Sequence, residues 1–187
     1  MSDMAACYAE NVGTHRFLTR LGALAGLLCA AFASPALAGG GTGTLRTSVL
    51  GPVAMLNTAP LDFGGIIPVG GGIVTVDAQT GARSSTGVVL AGGTPSNARF
   101  IATGTPNHVV TISLSAVPIV ITNGANSMSI NQVRVSVNGG GSQPLGPNAN
   151  LGALGVINYA IGGRLNVAAN QAAGQYTGSF SLTMDYQ

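Results

Sequence analysis

The sequence predicts an all-β protein of the immunoglobulin-like sandwich class, on three observations. The first is the stretch Gly174 to Gln187, where Tyr176, Gly178, Phe180, Leu182, Met184 and Tyr186 alternate with Thr177, Ser179, Ser181, Thr183, Asp185 and Gln187. A strand sends successive side chains to opposite faces, so the pattern reads as an apolar row on a core beneath a hydroxyl-rich row in water. The second is a series of short runs dominated by β-branched residues, each closed by Gly, Pro, Asn or Ser, with no helical periodicity after the N-terminal region. The third is composition: 29 glycines in 187 residues, with 46% hydrophobic and 6% charged, excludes a charge-rich disordered chain and fits a loop-rich secreted domain. Short strands that each bury one face do so most simply as two packed sheets.

The N-terminal region reads as a signal peptide over residues 1–38. His15, Arg16 and Arg20 precede an apolar run from Leu21 to Ala33, and Ser34-Pro35-Ala36-Leu37-Ala38 follows. The run is too short to span a bilayer comfortably, and small residues at Ala36 and Ala38 suit cleavage after Ala38. The mature chain would start at Gly39. Both cysteines, Cys7 and Cys29, would be removed, leaving no disulfide and no thiol chemistry in an oxidising compartment. No later apolar run predicts a membrane span in the mature chain.

Residues 39–57 are expected to form an N-terminal extension. A glycine-rich lead is followed by a short alternating strand, Thr44 to Leu50, with Leu45, Thr47 and Val49 on one face, before Gly51-Pro52 breaks it. A single domain is expected over residues 58–187. Its strand candidates are 61–63, 73–76, 88–91, 99–103, 109–115, 119–122, 132–137, 157–161 and 164–168, then the C-terminal stretch. Asp77 to Gly81 suits an Asx-type turn, Asn123-Gly124 a tight turn, and Asn138-Gly139 a longer hairpin loop.

Charge and side-chain chemistry exclude several function classes. All seven basic residues are arginines, five of them scattered singly beyond residue 38, and a net charge of +2 gives no footprint for nucleic acid. The mature chain holds one histidine, His108, and three carboxylates, Asp62, Asp77 and Asp185. Asp62 and Asp77 both sit in turn-like motifs, where hydrogen bonding to the turn is the expected role. No G-x-S-x-G elbow, phosphate loop or metal-ligand spacing appears, so no catalytic, cofactor or metal residue is assigned and an enzyme is not expected.

Four motifs carry a resemblance: Leu61-Asp62-Phe63-Gly64, the segment Val76 to Arg83 (VDAQTGAR), Gly92-Gly93-Thr94-Pro95-Ser96, and Asn170 to Gly178 (NQAAGQYTG). The chain resembles a bacterial family of small secreted proteins of unknown function, related to spore coat protein U and to the pilin subunits of the chaperone–usher pathway. Such pilins end in an alternating strand with a glycine fourteen residues from the end and a penultimate tyrosine, positions held here by Gly174 and Tyr186.

The resemblance implies an incomplete sandwich, held by a periplasmic chaperone, passed to an outer-membrane usher, and completed by the extension of the next subunit in a surface fibre serving adhesion or biofilm formation. Gly174, Tyr176, Phe180, Leu182, Met184 and Tyr186 would then meet the chaperone or the neighbouring subunit, and Leu45, Thr47 and Val49 would be donor-strand residues. The location implied is the periplasm and then the cell surface. A different class remains open at this point: a monomeric or surface-attached carbohydrate-binding adhesin domain on the same kind of sandwich. Such modules usually display exposed aromatics, whereas this chain has no Trp and its aromatics fall mostly inside strand candidates.

Overall fold

The structure, a computed structural model, describes residues 44–187. The expected signal peptide, with Ala36 and Ala38, and the glycine lead at 39–43 lie outside the described residues. Arg46 to Gln187 form one compact unit. It is built from antiparallel strands without a helix among the described residues.

The larger sheet is organised on β12 (Val156–Val167). The first half of β12 pairs with β6 (Ala98–Thr103) and the second half with β3 (Gly72–Val76), while β9 (Asn126–Val137) runs along its other side. Beyond these lie β1 (Ala54–Ala59) on β6, β4 (Arg83–Thr86) on β3, and β8 (Ile119–Asn123) and β10 (Gln143–Pro144) on β9. A second sheet has the order β11 (Asn148–Asn150), β7 (Val109–Leu114), β13 (Leu182–Tyr186). A small ribbon joins β2 (Ile66–Ile67) to β5 (Val89–Leu90).

Period-two burial explains why the two sheets stack. Ile157, Tyr159 and Ile161 of β12 are buried, and they share one core with Val110 and Ile112 of β7, Met184 of β13, and Leu151. Burying side chains of this size stabilises a fold by roughly 1.5–3 kcal/mol each, so the shared core is what holds the layers together. The sandwich expected from the sequence is therefore present as an all-β, two-layer arrangement.

Several local expectations are corrected. The C-terminal strand is five residues long and not fourteen. Thr177 bridges to Thr122 on the edge of β8, whereas Leu182 onward pairs with β7, so the chain crosses from one sheet to the other in between. The alternation nevertheless runs on, because Phe180, Leu182, Met184 and Tyr186 stay turned inward while Ser179, Ser181, Thr183, Asp185 and Gln187 are exposed. Residues 44–50 form no strand and are almost wholly exposed, since a strand needs a neighbouring backbone and no described residue supplies one. Residues 54–57, expected in the extension, belong to β1 and pair with β6.

The break expected between 161 and 164 does not occur. Gly162 lies so close to β3 that a Cβ there would sit 2.3 Å from the Val76 carbonyl oxygen, so its glycine serves close approach and not a turn. The irregularity falls on β9 instead, where Gln132 takes a left-handed φ of 47° opposite the Gly162–Arg164 step. The 61–63 candidate reduces to a single bridge between Asp62 and Ser96. The polar strand β4 escapes sequence reading because it offers no apolar alternation.

Candidate functional site

Among the described residues, one end of the larger sheet is left open. The three-stranded sheet covers the other end, and here a groove of about 1140 Å³ runs over the inner face. Its floor comes from pairs two residues apart on neighbouring strands: Ala98 and Phe100, Ile119 and Ile121, Met128 and Ile130, Leu165 and Val167. Such spacing puts both members of each pair on one face. The volume exceeds that of most small-ligand pockets, roughly 300–1000 Å³, and the floor is continuous and apolar.

Three of the four sequence motifs line the two walls, and the fourth ends in the arginine that braces one of them. On one side, Asp62 and Ser96 exchange backbone hydrogen bonds at 2.9 and 3.0 Å, and the Asp62 Oδ1 accepts the Gly64 N–H at 2.7 Å. The Arg83 guanidinium reaches across from β4 and donates to the carbonyls of Phe63 (2.8 Å), Gly65 (3.2 Å) and Gly92 (3.4 Å). One planar cation thus holds two loops in place, which a flexible ammonium does less well.

On the other side, the Tyr176 hydroxyl donates to the Ala172 carbonyl at 2.9 Å and accepts from the Gln171 amide at 2.7 Å. Gly174 sits at φ 142° with the Asn123 amide nitrogen 1.9 Å from where a Cβ would be, so this wall closes only with glycine there. Phe180 packs edge-to-face on Phe100 at 6.0 Å between ring centroids, a pair worth about 0.5–1.5 kcal/mol beyond its buried area.

The predicted site residues divide. Gly174, Tyr176 and Phe180 line the groove. Leu182, Met184 and Tyr186 do not. They form the inner face of β13, where Met184 is buried in the core and Leu182 and Tyr186 pack against it. Leu45, Thr47 and Val49 stand exposed outside any strand. Sequence reasoning missed the floor residues and Arg83. The i, i+2 apolar spacing was the available signal for the floor; the arginine stands out in the sequence only as the last residue of the VDAQTGAR motif.

Beside the groove, β13 is the last strand of its sheet. Ser115 donates its N–H to the Ser181 carbonyl and Gln187 donates to Val109, so the odd-numbered residues bond to β7. In an antiparallel ladder the even-numbered Leu182, Met184 and Tyr186 then turn their backbone groups to the open side. The chain comes into the domain at Gly51, whose carbonyl accepts from the Tyr186 hydroxyl at 2.9 Å and whose N–H donates to the Thr105 hydroxyl at 2.7 Å. From there β1 runs along β6 from Thr103 toward Arg99, that is, toward the groove. Groove and point of arrival lie at opposite ends of the sandwich.

The ionisable groups have structural partners. The Asp77 Oδ1 accepts from the N–H groups of Gln79 (3.0 Å) and Thr80 (2.8 Å) and from the Thr80 hydroxyl, and Oδ2 accepts from Ser142 at 2.8 Å. These bonds, the Thr80 N–H foremost, hold its carboxyl below the usual 3.8. His108 stacks edge-on against Tyr186 with its Nδ1 2.9 Å from the Pro106 carbonyl. Among the described residues no three His, Cys, Asp or Glu side chains are grouped to hold a metal, and no helix is long and apolar enough to cross a membrane.

No curated protein and no solved structure matches the chain. Residues 53–186 match one family along the whole of the sandwich, from just before β1 to the end of β13, so the chain belongs to the family described as a domain of unknown function (DUF4402).

Proposed function

We propose that the protein is a structural subunit of a bacterial surface fibre, an incomplete immunoglobulin-like sandwich that receives residues 44–50 of a second copy. The observation that carries this reading is the open apolar groove beside the unpaired edge of β13, in a chain that also presents Leu45 and Val49 at 101% and 91% exposure. A strand laid there buries Leu45 and Val49, which contributes roughly 1.5–3 kcal/mol each, and its backbone meets the open edge of β13 at the end nearest Phe180.

The opposite placement of groove and chain arrival supports a fibre over a closed dimer. Donation from one end into the other end of the next copy is a head-to-tail contact, and such contacts propagate when they do not close into a ring. Before assembly the apolar floor and strand edge need cover, the role expected of a periplasmic chaperone and an outer-membrane usher after export. The fibre would serve adhesion or biofilm formation.

The test is the size distribution of the chain lacking its signal peptide, with and without residues 39–50, in the presence of a peptide spanning 39–56. Fibres from the longer chain, and a shortened chain that stays monomeric and binds the peptide, are expected. A stable monomer that ignores the peptide and never polymerises would overturn strand donation.

A further inference from the structure

The charged side chains among the described residues are few enough to follow one by one. Four of the five arginines donate to neutral acceptors within the domain: Arg83 to the loop carbonyls, Arg99 to Asn97, Arg134 to the Ser142 carbonyl and Arg164 to Gln132. The fifth, Arg46, stands exposed between Leu45 and Thr47 with no hydrogen bond to a described residue. Of the three carboxylates, Asp77 is engaged on both oxygens. Asp185 is exposed on the outer face of β13. Asp62 is exposed on the groove wall; its Oδ1 is taken by Gly64, no described residue donates to its Oδ2, and among the described residues it is the only charged side chain lining the groove.

We propose that Arg46 of one copy pairs with Asp62 of the next, and that this ion pair sets the register in which residues 44–50 lie in the groove. The inference rests on the strand-donation reading and adds to it the contact that chooses among registers. In a strand over 44–50 whose Leu45, Thr47 and Val49 face the floor, Arg46 faces away from it toward solvent, where the exposed Asp62 of the wall is the charge it can reach.

A slip of one residue would press Arg46 onto the apolar floor, so that register is excluded by desolvation of the charge. A slip of two residues keeps the faces right and costs the apolar fit little, since it only exchanges Leu45, Thr47 and Val49 among similar sites. Such a slip moves the guanidinium by roughly 7 Å along the groove, out of reach of Asp62. An ion pair at a rim contributes modestly to affinity and acts mainly on register and rate of capture, which is what the two-residue ambiguity requires.

The experiment measures binding of peptides spanning residues 39–56, wild-type and Arg46→Ala, to the full chain at low salt, with Asp62→Asn and Asp185→Asn as receptor variants. Asparagine keeps the oxygen that accepts from Gly64, so the wall turn survives the change. The Arg46→Ala peptide is expected to bind the unaltered chain about three- to fivefold more weakly, a gap that closes in high salt. Against Asp62→Asn the two peptides should bind alike; against Asp185→Asn the gap should persist. A gap that persists in Asp62→Asn, or closes in Asp185→Asn instead, overturns the pairing while leaving strand donation standing. Failure of the wild-type peptide to bind at all overturns strand donation, and the pairing falls with it.

Discussion

The hydroxyl of Tyr186 donates to the carbonyl of Gly51, 135 residues earlier in the chain, and accepts the backbone N–H of Thr105 at 2.6 Å. One phenol therefore joins β13, the loop after β6 and the point where the chain comes into the domain. Tyr186→Phe keeps the ring against His108 but leaves the Thr105 N–H unpaired in a partly buried place. The expected loss is about 1–3 kcal/mol of unfolding free energy, read by chemical denaturation. A change below about 0.5 kcal/mol would mean that water replaces the phenol without cost.

Arg83 makes a separable prediction about the groove wall. Arg83→Ala strips a donor from three carbonyls on two loops, so capture of the 39–56 peptide should weaken by roughly tenfold, beyond what the fall in stability alone accounts for. Arg83→Lys restores the charge but not the fork, and should recover capture only in part. Unchanged capture in Arg83→Ala, with the variant folded by circular dichroism, would show that the wall holds its shape without the guanidinium.

Asp77 sets a pH dependence whose sign follows from its hydrogen bonds. Its folded pKa lies below the usual 3.8, lowered first by the Thr80 N–H, opposed by partial burial, and lowered further by Ser142, the Thr80 hydroxyl and Gln79. The stabilisation is thus fully present above pH 3.8 and is lost as pH falls through the lower folded value. Solvent reaches the carboxylate, so the effect is modest. Thermal melts from pH 6 down to about pH 2 should show an acid limb that is shallower in Asp77→Asn; parallel limbs in the two proteins would contradict the assignment.

Among the described residues Tyr159 is the largest fully buried side chain, and its hydroxyl has no hydrogen-bond partner there. Burial pushes its pKa up to about 12. A buried hydroxyl without a partner costs desolvation and returns nothing, so Tyr159→Phe should leave stability unchanged or raise it by up to about 1 kcal/mol. A loss above that figure, measured by denaturant titration, would reveal a partner for the hydroxyl in solution.

Much of the fold was legible in local pattern, and the failures share a cause. Runs such as Val109–Leu114 and Ile119–Asn123 declared themselves because a half-buried strand must alternate or stay β-branched. In the sequence Gly162 and Gly163 look like a break because glycine has two uses, turning and close approach, and only the nearness of Val76 distinguishes them. The Asx turn at Asp77 was readable, since all its donors but Ser142 lie within three residues. Of the groove, the wall residues Gly174, Tyr176 and Phe180 stood out in the sequence. Its floor did not, because Ile121, Met128 and Leu165 look like any other core positions until the covering layer is seen to stop short of them.

By itself the sequence determined the all-β class, the inward row from Phe180 to Tyr186 and the turns, because each depends on contacts between residues near in the chain. Tertiary structure alone decided that the inward row changes sheets between Thr177 and Leu182, that Arg83 braces a wall built from two distant motifs, and that the described residues leave an apolar floor uncovered. Those facts turn on which strand lies beside which. A period-two pattern says that a face is buried, and carries no information about what buries it.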